Sequence, residues 1–344
     1  MSKRIRSGGI MMTTLAIIAA VIVSACSSAA TPATPATVAS GPAIKLGFSA
    51  WPGWFPWQVA NDAGIFKSAG VNVELVWFEG YLDSINALAG GQLDANSQTL
   101  NDTLGSVAAG SDQVIVLVND NSTGNDQIIA TKDIKTVQDL KGKTIGIEAG
   151  VVDHYLLLLG LKAAGMSDKD VTIKNLETGA AAAAFASGQL DAVGVFAPFT
   201  TQALKREGSH TLFSSKDYPG AIPDHLVVSR KLVTDRPADV QKLVNAWFMT
   251  LEYIKANPDK AADIMSKRAG VSKAEYKSYE AGTTLFSLAE NTKAFTGGTT
   301  RANLDFATKD ISTFLKDNGF IKAAPDASKL LEPKFISDYA SKHK

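Results

Sequence analysis

Cysteine is nearly absent from this chain: Cys26 is the only one in 344 residues. A single thiol forms no intramolecular disulfide framework and leaves no CxxC pair for a metal or redox centre. Histidine is scarce, with His154, His210, His225 and His343 and no HxxxH spacing. The phosphate-cradling GxxxxGK[ST], the dinucleotide GxGxxG and the GxSxG nucleophile elbow are also missing. Nothing assembles a nucleophile, a base and an orienting group, so no catalytic residue, metal site or cofactor is expected and the chain is read as a non-enzyme. Positive charge is not in excess either: 34 Lys and Arg balance 34 Asp and Glu. That balance offers no concentrated cationic face to a nucleic acid. The main apolar run, Ile10–Ala25, is about 16 residues, short of the roughly 20 that span a bilayer.

What is present at the start is directional. Lys3, Arg4 and Arg6 precede the apolar run, and no acid occurs before Asp62. A basic start, a short apolar core and small residues at its end read as a signal peptide over residues 1–25. Taking away those three cations leaves 31 basic against 34 acidic residues, a mildly acidic mature chain. Val23-Ser24-Ala25-Cys26 resembles the lipobox of bacterial lipoproteins, which implies that Cys26 is lipidated and becomes the mature N-terminus. Acyl chains contribute roughly 0.8 kcal/mol per buried CH₂, so the expected location is extracytoplasmic, anchored to the membrane by lipid. Residues 26–43, rich in Ala, Thr and Pro and without apolar periodicity, read as an extended tether.

The folded part begins at Ile44. Strand-like runs at 44–48, 71–78, 93–97 and 114–119 alternate with helical patterns near 56–63 and 81–89, as βαβ units with a largely parallel sheet do. Then the order restarts. Gly90-Gly91-Gln92-Leu93-Asp94-Ala95 is echoed by Ser187-Gly188-Gln189-Leu190-Asp191-Ala192, and Lys45-Leu46-Gly47-Phe48 by Thr144-Ile145-Gly146-Ile147. The repeat predicts two α/β lobes, each a mixed sheet flanked by helices. Lobe 1 is expected over 44–122 and 226–344 and lobe 2 over 123–225, with Asn121–Asp126 and Pro219–His225 as crossovers. Residues 239–256 carry apolar side chains at 240, 243, 244, 247, 248, 251 and 254, a helical stripe. Further helical patterns at 259–269, 273–282, 303–319 and 332–341 are expected to pack onto a finished lobe.

Ligands of open α/β sheets sit beyond the carboxyl ends of the strands. Those loops are 49–57, 79–83 and 97–103 in lobe 1 and 148–155, 177–180 and 196–202 in lobe 2. None contains Lys or Arg, whereas Glu79, Asp83, Asp102, Glu148, Asp153 and Glu177 all fall in them. An anion site normally supplies a charge-assisted donor. Trp51, Trp54, Phe55 and Trp57 crowd the first loop, with Phe55 and Trp57 expected in the core and Trp51 and Trp54 as ligand platforms. Tyr81, Tyr155, Phe196 and Phe199 are further aromatic candidates. Trp77 and Trp247 are expected in the core. Ser49, Gln98, Thr99, Asn101, His154, Thr200, Asp224 and His225 complete the polar inventory. Aromatic faces with carboxylate acceptors suit a planar heterocycle bearing OH or NH donors, or a cation.

The lipobox, the tether, WPGWFPWQVANDAGIFKSAGVNVELVWF, DSINALAGGQLDA and DLKGKTIGIEAG together resemble the solute-binding proteins of ABC importers, over about residues 44–260. The branch is the nitrate, sulfonate and taurine-like one, which also holds binders of thiamine pyrimidine precursors and of riboflavin. The resemblance implies a monomer that closes two lobes around one small molecule and presents it to permease and ATPase subunits. It implies contacts from Ser49–Trp54, Glu79–Tyr81 and Glu148–Tyr155. Riboflavin fits the side-chain inventory best, with a sulfonate, taurine, nitrate or a pyrimidine precursor as alternatives. An arginine reaching the cleft, with Arg206, Arg230 and Arg301 the places to look, would favour an anion. The other classes are a pyrimidine-transforming enzyme and a surface interaction module, the latter favoured by a closed cleft with no ligand-sized volume.

Overall fold

The computed structural model describes residues 41–343. The expected leader, the Cys26 lipidation site and most of the tether lie outside the described residues. Among the described residues eleven strands form two sheets: β1 Ile44–Phe48, β2 Val73–Trp77, β3 Ala95–Thr99, β4 Gln113–Ser122, β5 Asp126–Ala130, β6 Thr144–Ile147, β7 Thr172–Asn175, β8 Ala192–Phe196, β9 His210–Ser214, β10 Pro223–Ser229 and β11 Thr283–Leu285. The first sheet runs β11-β4-β10-β3-β1-β2 and the second β7-β6-β8-β5-β9. In both, the strands of the βαβ units pair in parallel (β1 with β2 and β3; β6 with β7 and β8). The strands that carry the chain between sheets, β4, β5 and β10, pair antiparallel.

β4 is buried along its ten residues and ends at Ser122. Four residues on, β5 opens the second sheet. The return falls between β9 and β10, and β10 already pairs with β4 at Pro223 and Asp224. β10 belongs to the first sheet from Pro223 on, paired with β4 over 223–229 and with β3 over 224–228. The helix Pro237–Ala256 buries Val240, Leu243, Val244, Trp247 and Phe248, the stripe its spacing predicts. Helices 304–317 and 334–342 dock on lobe 1. The three-residue strand β11 and the helix Leu288–Ala294 stand where no element was expected.

The sequence repeat has a mechanical meaning. Asp94 Oδ2 accepts the backbone N–H of Lys45 at 2.9 Å, and Asp191 Oδ2 accepts that of Thr144 at 2.8 Å. Each carboxylate locks the start of its lobe's first parallel strand. Leu93 and Leu190 lie against Gly47 and Gly146, where an added methyl group would overlap the leucine side chain. Gly91 and Gly188 adopt φ of 72° and 85°, the left-handed turn that lets the chain leave the preceding helix. Asp94→Ala and Asp191→Ala are each expected to cost about 1 kcal/mol, and to add in the double variant because they sit in different lobes. Urea unfolding of the three variants checks this.

Trp57 is fully buried, 4.6 Å from Trp247 between ring centres, and its Nε1 donates to Ser97 Oγ at 2.9 Å. Phe55 stacks on Trp77. Both therefore turn into the core, as expected. Trp77 is only half-buried, its outer face covered by the Arg268 guanidinium at 3.8 Å.

Candidate functional site

The two lobes meet around a cavity of about 10 Å³, the room that one water molecule needs. Trp51, Trp54, Tyr81, Thr99 and Asp224 line it from lobe 1, and Asp126, Val152 and Phe196 from lobe 2. Its walls are aromatic. Trp51 meets Phe196 edge-on across the lobe boundary at 6.2 Å, Trp54 packs on Tyr81 at 5.2 Å, and Tyr81 meets Phe196 at 6.3 Å. A broader groove of about 490 Å³ opens beside it, between Leu82, Asn86 and Gly105 on one lobe, Gly150 and Val151 on the other, and Phe320.

The polar floor is made of carboxylates. Asp224 and Asp120 are directly opposite in the β10–β4 ladder, where two like charges destabilise a sheet. Trp51 Nε1 donates to Asp120 Oδ1 at 2.9 Å. The remaining oxygen of Asp120, one oxygen of Asp126 and both of Asp224 are buried without a protein donor. The two carboxyl groups face each other across the ladder, so a single proton held between them would serve both. Thr99 Oγ1 donates to Asp102 Oδ2 at 2.6 Å, and Tyr81 Oη accepts the Thr99 N–H at 2.9 Å. Asn101 Nδ2 donates to the other oxygen of Asp102 at 2.7 Å. In lobe 2 the Thr178 hydroxyl faces both Glu148 and Asp153, and Glu148 accepts the Leu82 N–H from lobe 1 at 3.3 Å.

Burial pushes Asp102, Asp120 and Asp126 up to about 7 and holds Asp153 and Asp224 well above the usual carboxylate range. Mutual repulsion adds to this for Asp224 and Asp153. Burial also raises Glu148 and the Tyr81 phenol. No Lys or Arg lines the cavity. Arg206 donates to the carbonyls of Phe185 and Leu190, Arg230 pairs with Asp112, and Arg301 with Asp310.

The first loop fits this floor through Gly53. A methyl group there would fall inside the Asp120 carboxylate, so the WPGW turn brings backbone directly onto the acid while its two tryptophans flank it. Of the residues expected at the site, Trp51, Trp54, Tyr81, Thr99, Phe196 and Asp224 converge on the cavity. Asn101, Glu148 and Asp153 stand behind them through the hydrogen bonds above, and Phe199 backs Phe196 at 5.7 Å. Ser49 and Thr200 are buried, the Ser49 hydroxyl without a partner.

Others point elsewhere. Glu79 accepts from Trp77 Nε1 at 2.7 Å on the outer face, Glu177 caps the helix Thr178–Ala186, and Gln98 bonds Thr103 and Gln113 inside lobe 1. His154 lies against Phe320 and Tyr155 against Phe314, so both pack on the C-terminal segment rather than the cavity. His225 is fully buried with both ring nitrogens unpartnered, and burial pushes its pKa down to about 3, which keeps it neutral. Asp120 and Asp126 are functional candidates that lie outside the six strand-end loops. They flank the crossover Asn121–Asn125, and the switch from the apolar Val114–Val118 run to Asn-Asp is the signal that marks them.

The profile of the NMT1/THI5-like family matches residues 51–261, from the WPGW turn through both lobes. The chain belongs to this family. The taurine-binding periplasmic protein of Escherichia coli is 28% identical over 297 residues, 82% of this chain and 89% of that one. A protein of Brucella abortus named as a binding protein is 27% identical over 63% of this chain and 68% of its own length. The riboflavin-binding protein of Chloroflexus aurantiacus is 32% identical, but over 38% of each chain. Among solved structures, the alkanesulfonate-binding protein of Xanthomonas axonopodis bound to MOPS superposes with a TM-score of 0.70 at 19% identity, covering 86% of this chain and all of that one. At that identity the likeness speaks for the fold. This family member thus has the two-lobed α/β architecture of ABC-import solute-binding proteins. Its relatives named above are binding proteins.

The cavity volume by itself is what a closed interaction module would have. Its chemistry is not, because a permanently shut apolar seam has no reason to bury acceptors without donors.

Proposed function

We propose that this protein is the solute-binding component of an ABC importer and that its solute is a small, donor-rich molecule with a flat or compact apolar body. The observation that carries this reading is the concentration of buried, donorless carboxylate oxygens among aromatic rings contributed by both lobes. The lobes part at the crossovers to admit the solute, since a cavity of about 10 Å³ admits no organic molecule. Closure is driven only by the difference in affinity between closed and open states. A heterocycle such as riboflavin would place its ring system against Trp51 and Trp54 and its hydroxyls on the aspartates. The anionic end of a sulfonate or of nitrate would meet carboxylates with no cation to receive it. Taurine is the second reading, favoured by the long alignment with the E. coli relative, and its ammonium end is the half that suits this floor. A thiamine pyrimidine precursor fits the same donor-rich class.

A thermal-shift panel on residues 27–344 with riboflavin, hydroxymethylpyrimidines, taurine, alkanesulfonates and nitrate tests the reading. A ligand at 100 times its Kd adds roughly 2.7 kcal/mol. Stabilisation by nitrate or a simple alkanesulfonate, with none by the donor-rich members, overturns it.

Localisation follows from Cys26 in the same proposal: a lipid-anchored, extracytoplasmic protein working with permease and ATPase subunits. Among the described residues no helix is long and apolar enough to cross a membrane. Cys26→Ser is expected to abolish incorporation of labelled palmitate and to move the protein from the membrane to the soluble fraction. Unchanged membrane retention would remove the lipid anchor from the account.

A further inference from the structure

The solute seat between the lobes holds more negative capacity than a neutral ligand would use. Asp120, Asp224 and Asp126 come from β4, β10 and β5, three strands of two different sheets, and leave four buried oxygens without a protein donor. Asp102 lies one hydrogen bond behind the lining residue Thr99, and Asp153 and Glu148 share the Thr178 hydroxyl on the opposite wall. Asp83 and Glu177 add charge near Glu148. The other titratable groups beside these acids, the Tyr81 phenol in the seat and the Tyr276 phenol near Asp120, are neutral near pH 7.

Every element around the seat therefore contributes an acid or a neutral group. Among the described residues no three His, Cys, Asp or Glu converge as ligands of a metal ion. The carboxylates instead alternate with Trp51, Trp54, Tyr81 and Phe196, whose ring faces attract cations. Rings and carboxylates together fit a positive charge spread over a carbon–nitrogen group better than a small hard ion, which takes oxygens alone.

We propose that the seat is built for an organic cation: a protonated or quaternary nitrogen on a compact or flat apolar body, held against Asp120, Asp224 and Asp126 and capped by the four rings. The proposal rests on the reading that the solute binds between the lobes, and it names the solute's charge. It has a second consequence. Carboxyl groups that carry protons in the closed, unliganded state release them when a cation takes their place. The step balances: one O–H proton passes to buffer for each positive charge that replaces it, and no other bond changes.

The test uses pairs that differ in charge and little else: benzylamine against benzyl alcohol, choline against 3,3-dimethylbutan-1-ol, and 4-amino-5-aminomethyl-2-methylpyrimidine against its 5-hydroxymethyl analogue. Calcium and magnesium chloride form a separate arm. Calorimetric titration in phosphate and in Tris, at pH 6, 7 and 8, reads affinity and proton release together. At least one cation is expected to bind ten or more times tighter than its neutral partner. Its affinity is expected to rise by up to about tenfold per pH unit between 6 and 7, with up to one proton released per cation and less at pH 8. Asp224→Asn is expected to reduce both the preference and the proton count.

Equal binding of the neutral partners, or binding with no proton release at any pH, overturns the cation proposal while leaving solute capture between the lobes intact. Stabilisation by calcium or magnesium alone overturns it in favour of a metal site. No binding by any organic member, riboflavin included, overturns both readings.

Discussion

Substituting Asp224 by asparagine is expected to raise the melting temperature of the unliganded protein at pH 8 while weakening its hold on a cationic solute at least tenfold. Asp224 faces Asp120 across the β10–β4 ladder, and both are buried. In the wild type the pair is satisfied only while it keeps a proton. An amide at position 224 donates a hydrogen bond to Asp120 without one, so Asp120 ionises at no loss of pairing.

The sign of the pH effect follows from the direction of the shifts. These acids bind protons more tightly folded than unfolded, so stability falls as pH rises from the unfolded value of about 4 through the folded values. Asp102, Asp120 and Asp126 complete that loss near 7, and burial with like-charge repulsion shifts Asp153 and Asp224 in the same direction. His154 and His225, held neutral by burial, act the other way, but only below about pH 6.5. From pH 6.5 to 8 the acids stand alone, and the wild type should lose stability steadily. Asp224→Asn should lose less and gain about 1–2 kcal/mol over wild type at pH 8, worth a few degrees. Calorimetric scans at the two pH values decide it. A variant that melts lower than wild type at pH 8 would show that the carboxylate pair is not a burden.

Trp51→Ala and Trp57→Ala should separate binding from folding within one seven-residue loop. Trp57 is sealed between Trp247 and Phe66 and bonded to Ser97, so its loss is expected to cost about 3–5 kcal/mol of stability. Trp51 closes the seat, meets Phe196 of the other lobe and positions Asp120. Its loss is expected to weaken solute affinity by about 2 kcal/mol or more, roughly thirtyfold, with the smaller effect on urea midpoint. Comparable losses of affinity in both variants would place Trp51 in the core with its neighbour.

Much of this is written in local patterns. Alternating apolar runs give β1 to β4 to within a few residues, and the GQLDA echo gives the two lobes because each copy does the same job against the same kind of strand. The loop aromatics are legible because Pro56 starts a helix: Trp51 and Trp54 before it stay at the strand end, while Phe55 at its cap and Trp57 within it turn inward. Exact facing is not legible at that level. In the helix Val152–Ala163 each step turns about 100°, so Asp153 reaches the seam while His154 and Tyr155 swing onto Phe320 and Phe314. Glu79 follows Trp77 on the outer side. Asp120 and Asp126 escape because a crossover reads as a connection, and only the β4–β10 and β5–β8 registers bring its flanking acids into the seat.

The paired clamps of Asp94 on Lys45 and Asp191 on Thr144 make each half self-sufficient in its bracing. Each wall thus carries its own brace at the start of its parallel strand. A chimaera carrying residues 126–214 from another family member would import that protein's half of the recognition surface on a scaffold already secured. Such grafts would make the repeated brace a handle for redesigning the wall it holds.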